Sequence, residues 1–413
     1  MADERLPNRW MFVLWAIVMQ LCLGNLYSWS IFRTPLMKQY GWTIQQATWP
    51  FTLSVVFFAV GMVFAGRWQD KAGPKVVGIT GGIILGVGFV LASVVGNTLP
   101  GIYIAYGVLG GLGVGFAYVT PIATCVKWFP DKRGFITGLA VLGFGAGSMI
   151  GAPVGTRLIG QMGVLGTFAV FGVVFGILTA LAGAMLRTPP AGYRPAGWSP
   201  AAPAAGKPVA TKYDYDPSEM VKTPQFWLLW FIYLFGAGVG LMAISQAVPM
   251  GVELAKVTPA LAAGALGTMA IFNGLGRPAF GAISDKIGRS NATMLAFAVY
   301  LVALLGVLRS ADTLATYTIG ISMVGFAYGG YLALMPSYTA DYFGTKSLGI
   351  NYGWVFSAWG AAGVMGPIIG AQVRAATGAW TNAFWILAGM CVAGILLALV
   401  TKAPAPREVV AKA

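Results

Sequence analysis

Two stretches decide the fold: residues 66–75 read Gly-Arg-Trp-Gln-Asp-Lys-Ala-Gly-Pro-Lys, and residues 281–289 read Gly-Ala-Ile-Ser-Asp-Lys-Ile-Gly-Arg. Both contain the pattern G-x-x-x-D-K-x-G followed by a cation, and both lie between long apolar runs. The glycines permit a tight turn, while the aspartate and the cations can form charge-assisted bonds with neighbouring helix ends. We expect helical periodicity to stop within the charged turn 284–289. A charged turn that only orients the chain would explain either copy alone, but two copies at matching places indicate an internal repeat.

The composition around this repeat predicts an all-α polytopic membrane protein. Of 413 residues, 57% are hydrophobic and only 9% are charged, and the mean hydropathy is +0.75. The net charge of +14 does not indicate a nucleic-acid partner, because the cations lie in short turns rather than on one basic face. The three cysteines are far apart in sequence and histidine is absent, so we expect no disulfide framework, metal site or cofactor. The N-terminus shows no cleavage-site pattern, so we expect no removable signal peptide.

A search for runs of about 20 apolar residues predicts twelve transmembrane helices. They cover residues 10–32, 45–65, 76–96, 101–127, 134–156, 164–186, 224–248, 258–280, 290–309, 313–338, 348–371 and 380–401. One longer segment is rich in proline and alanine and too polar to cross a bilayer. The chain therefore divides into a first six-helix half (1–186), a cytoplasmic linker (187–222) and a second six-helix half (223–413).

The basic residues predict a multi-pass protein of the cell (inner) membrane with both termini cytoplasmic, because Lys and Arg accumulate in cytoplasmic loops. In this orientation 19 of the 26 basic residues lie on the cytoplasmic side. One cation, Arg277, belongs to neither side. Counting back from the charged turn at ~1.5 Å per residue puts Arg277 roughly 12 Å inside the apolar span.

The repeat resembles the cytoplasmic loop motif that the major facilitator superfamily carries in each half. Other stretches are similar to the oxalate/formate antiporter branch of that superfamily and to its bacterial and animal monocarboxylate transporter relatives. They are Asn8-Arg9-Trp10, Tyr27-Ser28-Trp29, Trp128-Phe129-Pro130-Asp131-Lys132-Arg133-Gly134, Thr223-Pro224-Gln225-Phe226-Trp227, Asn273-Gly274 with Arg277-Pro278, and Asn351-Tyr352-Gly353. The resemblance implies rocker-switch alternating access around a site between the halves. It also implies transport of small carboxylates, with a cation of the eighth span holding the carboxylate group.

Arg277 is the main candidate for substrate binding. A guanidinium can hold a carboxylate with two parallel bonds, and an ionisable residue within a span usually faces a cavity or the bundle interior. The alternative is an arginine that reaches the cytoplasmic interface or caps helix carbonyls. Asn273 lies four residues earlier on the same helical face. It can bind substrate oxygens, orient the guanidinium or join two helices.

Four tyrosines are further candidates for lining the path. Tyr118, Tyr328 and Tyr331 lie away from the span ends, so an interfacial aromatic belt explains them poorly. Their hydroxyls need partners if they are buried. Tyr27 is nearer a span end, so a place in the belt and a place in the path both remain open.

The eleventh span bears on the substrate. Alignment through Asn351-Tyr352-Gly353 places Trp359 where the oxalate transporter has a lysine. One cation suits a monoanion with an apolar tail, so we predict L-lactate or pyruvate rather than a dicarboxylate. Phe356 can wall the apolar side or simply pack in the core, and Gly24 and Leu142 can leave or fill room for the substrate tail. Five residues of the two repeats are expected to close one end of the transporter: Asp70, Lys71, Asp285, Lys286 and Arg289.

The coupling remains open between two modes. All twelve acidic residues fall in tails, loops or span ends, whereas the animal monocarboxylate transporters place an aspartate where Asn273 stands. A proton would therefore travel on the substrate carboxyl, or through water and tyrosines. Proton symport is favoured by the resemblance. Obligate carboxylate exchange is the alternative, because an empty carrier with an unpaired buried charge reorients slowly.

Other functional classes are less well supported. The spans lack histidine and paired acids, so the nucleophile and base of a membrane-embedded enzyme are missing. A transport-inactive receptor is harder to exclude from the sequence, although the sequence shows no separate signalling domain. We expect a monomeric carrier whose partners are the carboxylate, the proton and the lipid bilayer.

Overall fold

The computed structural model describes residues 6–195, 197–198 and 213–404, and these residues form helices without any strand. Parts of the predicted halves and linker, residues 1–5, 196, 199–212 and 405–413, lie outside the described residues. The membrane-crossing helices are α1 Trp10–Tyr40, α2 Ile44–Ala72, α3 Pro74–Val95, α4 Leu99–Trp128, α5 133–162, α6 164–185, α7 Pro224–Leu254, α8 Pro259–Ile287, α9 Arg289–Ser310, α10 Leu314–Phe343, α11 Leu348–Thr377 and α12 Trp380–Val400. All twelve predicted spans are thus present.

Helices α5 and α6 form one helical stretch, Arg133–Met185, that is broken at Gly163. Gly163 has φ 75° and ψ 176°, a conformation that L side chains rarely adopt. This residue therefore marks the turn between two spans. A short helix, Pro217–Met220, precedes α7.

Threonine caps explain where several helices begin. The helices α2, α4, α7, α8 and α10 each follow a threonine whose Oγ1 accepts a hydrogen bond from the backbone N–H three residues later. These residues are Thr43, Thr98, Thr223, Thr258 and Thr313. Each such cap satisfies one free N–H group and contributes about 1 kcal/mol.

Helix α8 ends within the predicted charged turn 284–289, but it extends further into that turn than the predicted span 258–280. Helix α8 continues to Ile287 and α2 continues to Ala72, so Asp70 and Asp285 lie in the last turn of each helix. Aspartate and lysine do not break a helix. Each helix ends only at the following glycine with positive φ, Gly73 (82°) and Gly288 (88°).

The first six and the last six helices pack closely at the end of the bundle that carries Asp70 and Asp285, called here the charged end. There α5 meets α8 and α2 meets α11 without intervening side chains. A Cβ at Gly281 would collide with the carbonyl oxygen of Gly134, and a Cβ at Gly66 with the carbonyl of Gly349.

Fewer contacts surround two glycines near the other end of α8. A Cβ built at Gly264 or Gly267 would meet no atom within 4 Å. On α5, Ile150 is 60% exposed. The described contacts of α5 with α8 therefore concentrate between the charged end and the middle of the bundle.

Candidate functional site

Arg277 lies near the middle of α8 with none of its surface exposed. Its Nη1 donates to the carbonyl oxygen of Val141 in α5 at 2.5 Å, and its Nη2 donates to Oδ1 of Asn273 at 3.0 Å. Its Nε is buried and has no hydrogen-bond partner. Because a guanidinium carries five N–H groups, three of them remain for a ligand.

The charge of Arg277 is not balanced by an acid. Among the described residues, every ion pair involves another cation. The ring of Phe144 lies 5.9 Å from Arg277 Cζ, within the range of a cation–π contact. An unpaired buried charge costs several kcal/mol, so the surroundings of Arg277 favour an anion. Because Arg277 is fully buried, it does not reach the membrane interface. The other alternative, an arginine that caps helix carbonyls, agrees in part with its bond to the Val141 carbonyl.

Asn273 takes two of the three roles that the sequence left open. Its Oδ1 accepts from Arg277, and its Nδ2 donates to the carbonyl oxygen of Gly325 in α10 at 3.3 Å. Asn273 therefore orients the guanidinium and joins α8 to α10. A contact with substrate remains a prediction.

Aromatic side chains from both halves pack beside Arg277. Phe356 and Trp359 of α11 stack with ring centroids 4.9 Å apart, and Phe58 of α2 lies 5.0 and 5.3 Å from them. The Trp359 Nε1–H donates to the hydroxyl of Tyr328 at 2.8 Å. We define the central cluster as Tyr27, Phe58, Tyr118, Phe144, Asn273, Arg277, Tyr328, Phe356 and Trp359.

Three of the four candidate tyrosines belong to the central cluster. Tyr27, Tyr118 and Tyr328 are all close enough to Arg277 to interact with its charge. The Tyr27 hydroxyl is buried without a hydrogen-bond partner, which places it in the interior rather than in an aromatic belt.

The structure does not bring the fourth tyrosine, Tyr331, to the central cluster. Its ring stacks on Tyr300 of α9 at 5.8 Å, and its hydroxyl approaches the carbonyl oxygen of Thr293 at 3.5 Å. Tyr331 is only three residues beyond Tyr328 on α10, yet its ring lies against α9 rather than beside Arg277. Tyr331 is thus packed inside the second half.

Two small-volume candidates have different surroundings from those predicted. A Cβ at Gly24 would collide with the carbonyl oxygen of Phe144, so the space at Gly24 is filled by α5 and not left for a substrate tail. Leu142 is half-buried at the contact of α5 with α8, where its Cδ1 would lie 3.5 Å from a Cβ at Gly274. Leu142 can therefore still border the site.

Gly145 is a residue that the sequence reasoning missed. A Cβ there would lie 3.3 Å from Arg277 Nε and 3.2 Å from Asn273 Oδ1. A side chain at Gly145 would therefore press against the unpartnered Nε. Nothing in the sequence separates Gly145 from the other glycines of α5.

At the charged end, two aspartates bind helix N-termini of the opposite half. Asp70 accepts from the backbone N–H groups of Gly349 (3.1 Å) and Ile350 (2.9 Å) at the start of α11. Asp285 accepts from those of Gly134 and Phe135, both at 2.9 Å, at the start of α5. We call these four bonds the capping contacts. A carboxylate at a helix N-terminus satisfies free N–H groups and complements the helix dipole.

The cations around the capping contacts are only partly those predicted. Arg289 pairs with Asp285 at 2.7 Å and with Asp341 at 2.8 Å, and Arg133 pairs with Asp341 at 2.7 Å. Asp341 thereby links Arg133 of the first half to Arg289 of the second. The sequence reasoning did not single out Arg133 or Asp341 for this role.

The two lysines of the repeats do not take part. Lys71 and Lys286 are exposed, and neither forms an ion pair with a described residue. The cation nearest Asp70 is Lys127, with Nζ 3.6 Å from Oδ1. Sequence proximity was misleading here because Lys71 and Lys286, next to their aspartates on the helix, point to another side.

The family model described as Major Facilitator Superfamily matches residues 14–367 and 256–413. The chain belongs to the Major Facilitator Superfamily. The oxalate:formate antiporter of Oxalobacter formigenes is 31% identical to this Major Facilitator Superfamily member over 386 residues, which cover 93% of this chain and 89% of that protein. Monocarboxylate transporter 12 of Xenopus laevis is 28% identical over 344 residues, 78% of this chain and 73% of that protein.

The solved structures agree with the fold. The Major Facilitator Superfamily transporter FucP in the outward conformation matches with a TM-score of 0.71 at 14% identity, covering 95% of this chain and 98% of that chain. The predicted twelve-helix fold and the resemblance to the oxalate/formate branch are both confirmed.

Proposed function

We propose that this Major Facilitator Superfamily member is a secondary transporter of small monocarboxylates such as L-lactate or pyruvate, coupled to protons and working by rocker-switch alternating access. The observation that carries the proposal is the buried, acid-free guanidinium of Arg277, which retains three N–H groups. The relatives named for oxalate, formate and monocarboxylates support a small carboxylate as the substrate.

The geometry of Arg277 favours a carboxylate as the bound group. Nε and a terminal nitrogen can donate two parallel bonds to the two carboxylate oxygens. Asn273 already holds the guanidinium in place, so little further side-chain freedom is lost on binding. Gly145 brings no side chain against this edge of the guanidinium, where a Cβ would lie 3.3 Å from Nε.

The surroundings favour a monoanion over a dianion. Arg277 is the one cation of the central cluster, whose other members are aromatic rings and Asn273. Phe356 and Trp359 offer an apolar wall rather than a second positive charge. A methyl or other short apolar tail would bury against these rings, whereas a second carboxylate would lose its hydration without gaining a partner.

The capping contacts support a carrier in which the two halves move relative to each other. They join the two halves at the charged end. Basic residues concentrate at the charged end, so we assign it to the cytoplasm. Opening that end would require the four capping contacts to break.

Obligate carboxylate exchange is the second candidate for the mode of transport. The observation that favours it is the absence of a carboxylate beside Arg277 among the described residues. Without a bound anion, the carrier would have to change between its two access states with the buried charge of Arg277 unpaired. In proton symport, the hydroxyls of Tyr27, Tyr118, Tyr328 and Tyr352 are ionisable groups close enough to interact with the charge of the guanidinium.

Uptake of radiolabelled L-lactate into proteoliposomes tests the proposal. One set of vesicles has an inward proton gradient and no internal substrate, and a second set contains unlabelled lactate. Gradient-driven uptake into empty vesicles would support proton symport. Uptake only with internal lactate would support exchange.

Three variants test the role of Arg277. Arg277→Ala should abolish uptake, and Arg277→Lys should retain the charge but lose the two-pronged geometry and most of the uptake. Arg157→Ala removes an exposed arginine of α5 and should transport normally. Gel filtration of each purified variant shows whether it is folded. Equal uptake by folded Arg277→Ala and wild type would contradict the proposed site.

A further inference from the structure

A cavity lies at the charged end, away from the central cluster. Its volume is about 470 Å³. It is lined by the end of α4, the start of α5, the segment that follows α6 and the loop between α10 and α11. Residues of both halves thus surround it. The volume falls in the range of about 300–1,000 Å³ that is typical of small-molecule sites.

The lining of this cavity is strongly positive. It includes Lys127, Arg133, Arg194 and Lys346, and no acidic residue among the described residues that line it. Lys127 and Arg133 are already paired, with Asp70 and Asp341 respectively, but Arg133 Nε is buried without a hydrogen-bond partner.

The other two cations are free of acids within the described residues. Neither Arg194 nor Lys346 forms an ion pair there, and both are exposed. The acid nearest the loop is Asp214, whose Oδ1 accepts from the backbone N–H groups of Thr345 and Lys346. That carboxylate orders the loop and does not line the cavity.

We propose that this cavity binds a multivalent phosphate-bearing anion. Four cations around one cavity attract several negative charges, and phosphate oxygens accept bonds from arginine forks and lysine together. Trp198 also lines the cavity and offers an apolar surface next to the charges. A single small monocarboxylate carries only one charge and would leave most of this volume empty.

The accumulation of cytoplasmic cations in membrane proteins does not account for this arrangement. That tendency places Lys and Arg on one side of the membrane, but it does not require four of them to surround one cavity from both halves. An anion held by Arg133 of the first half and Lys346 of the second would link the halves beside the capping contacts. Occupancy would therefore favour the arrangement in which the charged end is closed.

The proposal is tested first with pyrophosphate and the purified full-length protein in neutral detergent. Wild type should show a saturable rise in thermal unfolding temperature that sodium chloride of equal ionic strength does not reproduce. Arg194→Ala/Lys346→Ala should weaken the apparent affinity roughly tenfold or more, the equivalent of about 1.4 kcal/mol. The matched control, Lys75→Ala/Lys222→Ala, removes two exposed lysines outside the cavity and should bind as wild type does.

A second arm distinguishes a soluble phosphate from a lipid headgroup. The same variants are reconstituted in phosphatidylcholine nanodiscs with or without cardiolipin, and retained lipid is measured by mass spectrometry. Cardiolipin retained by wild type and lost from the cavity variant, with no pyrophosphate effect, would assign the site to a headgroup. The idea is overturned if the cavity variant matches wild type in both arms. Lactate binding at Arg277 is measured separately, so neither result tests the proposed role of the central cluster.

Discussion

Replacing Gly145 by alanine should weaken substrate binding without unfolding the protein. The new methyl group would lie 3.3 Å from Arg277 Nε and 3.2 Å from Asn273 Oδ1. It would occupy the space through which a carboxylate reaches Nε. One of the two bonds in a bidentate pair is then lost, while the bond to a terminal nitrogen can remain.

The size of the effect follows from that single bond. A hydrogen bond to a charged group contributes roughly 1.5–3 kcal/mol, so the Kd for lactate should rise about 10-fold to 150-fold. Stability should change little. The contacts require shifts of only a few tenths of an ångström, and alanine is favoured over glycine in a helix by about 1 kcal/mol.

Two other glycines of α5 provide matched controls for Gly145→Ala. At Gly160 a Cβ would meet no atom within 4 Å, so Gly160→Ala should bind lactate as wild type does. At Gly138 a Cβ would collide with the backbone carbonyl of Arg277, so Gly138→Ala should destabilise the protein itself.

The assay is equilibrium binding of radiolabelled L-lactate to the purified proteins, with thermal unfolding measured in parallel. A folded Gly145→Ala protein with the Kd of wild type would refute the reasoning that substrate engages Nε. An equal loss of affinity in Gly160→Ala would show that any added methyl on α5 impairs binding.

Three further substitutions test the gate, the substrate class and the missing acid. Asp285→Asn keeps the shape of the side chain but removes the charge from two capping contacts. Spin labels on α5 and α8 at the charged end should then lie farther apart. An unchanged distribution of the distances between the labels would contradict the role of these bonds. Trp359→Lys should shift preference towards oxalate in competition binding, whereas unchanged relative affinities would remove Trp359 from the specificity argument. Asn273→Asp should place a carboxylate against the guanidinium, about 3.0 Å away as Asn273 is now. Lactate affinity should then be low at neutral pH and recover as falling pH protonates the aspartate, so an affinity independent of pH would count against this pairing.

The fold was predictable because its signals are strong and additive over many residues. Twelve apolar runs of sufficient length leave few alternatives in a bilayer, where helices satisfy their own backbone groups. The depth of Arg277 followed from the same count. The ends of α2 and α8 were not predictable, because Asp-Lys pairs are compatible with both a turn and a last helical turn.

The site was predictable where one residue differs from all its surroundings, and not where several small ones cooperate. Arg277 differs in charge from everything near it in sequence, so the sequence alone singles it out as a candidate. Tyr331 and Tyr328 carry the same chemistry three residues apart, and only the packing of α10 against α9 separates them. Gly145 has no side chain that could mark it in the sequence. Its role depends on the position of Arg277 Nε at the contact between α5 and α8.

The hydrogen bond between Arg277 Nη1 and the Val141 carbonyl joins the proposed site to the proposed movement. It runs from α8 of the second half to α5 of the first half, on the helix pair that the Asp285 capping contacts also join. If the halves separate at the charged end, this bond must lengthen or break, and the guanidinium then loses one of its two present partners. A bound carboxylate can replace that partner, since it accepts bonds from the same nitrogens. Binding would therefore lower the cost of separating the halves, whereas an empty site would leave a buried cation with Asn273 alone. In this arrangement a residue that holds the substrate also determines when the carrier can change state.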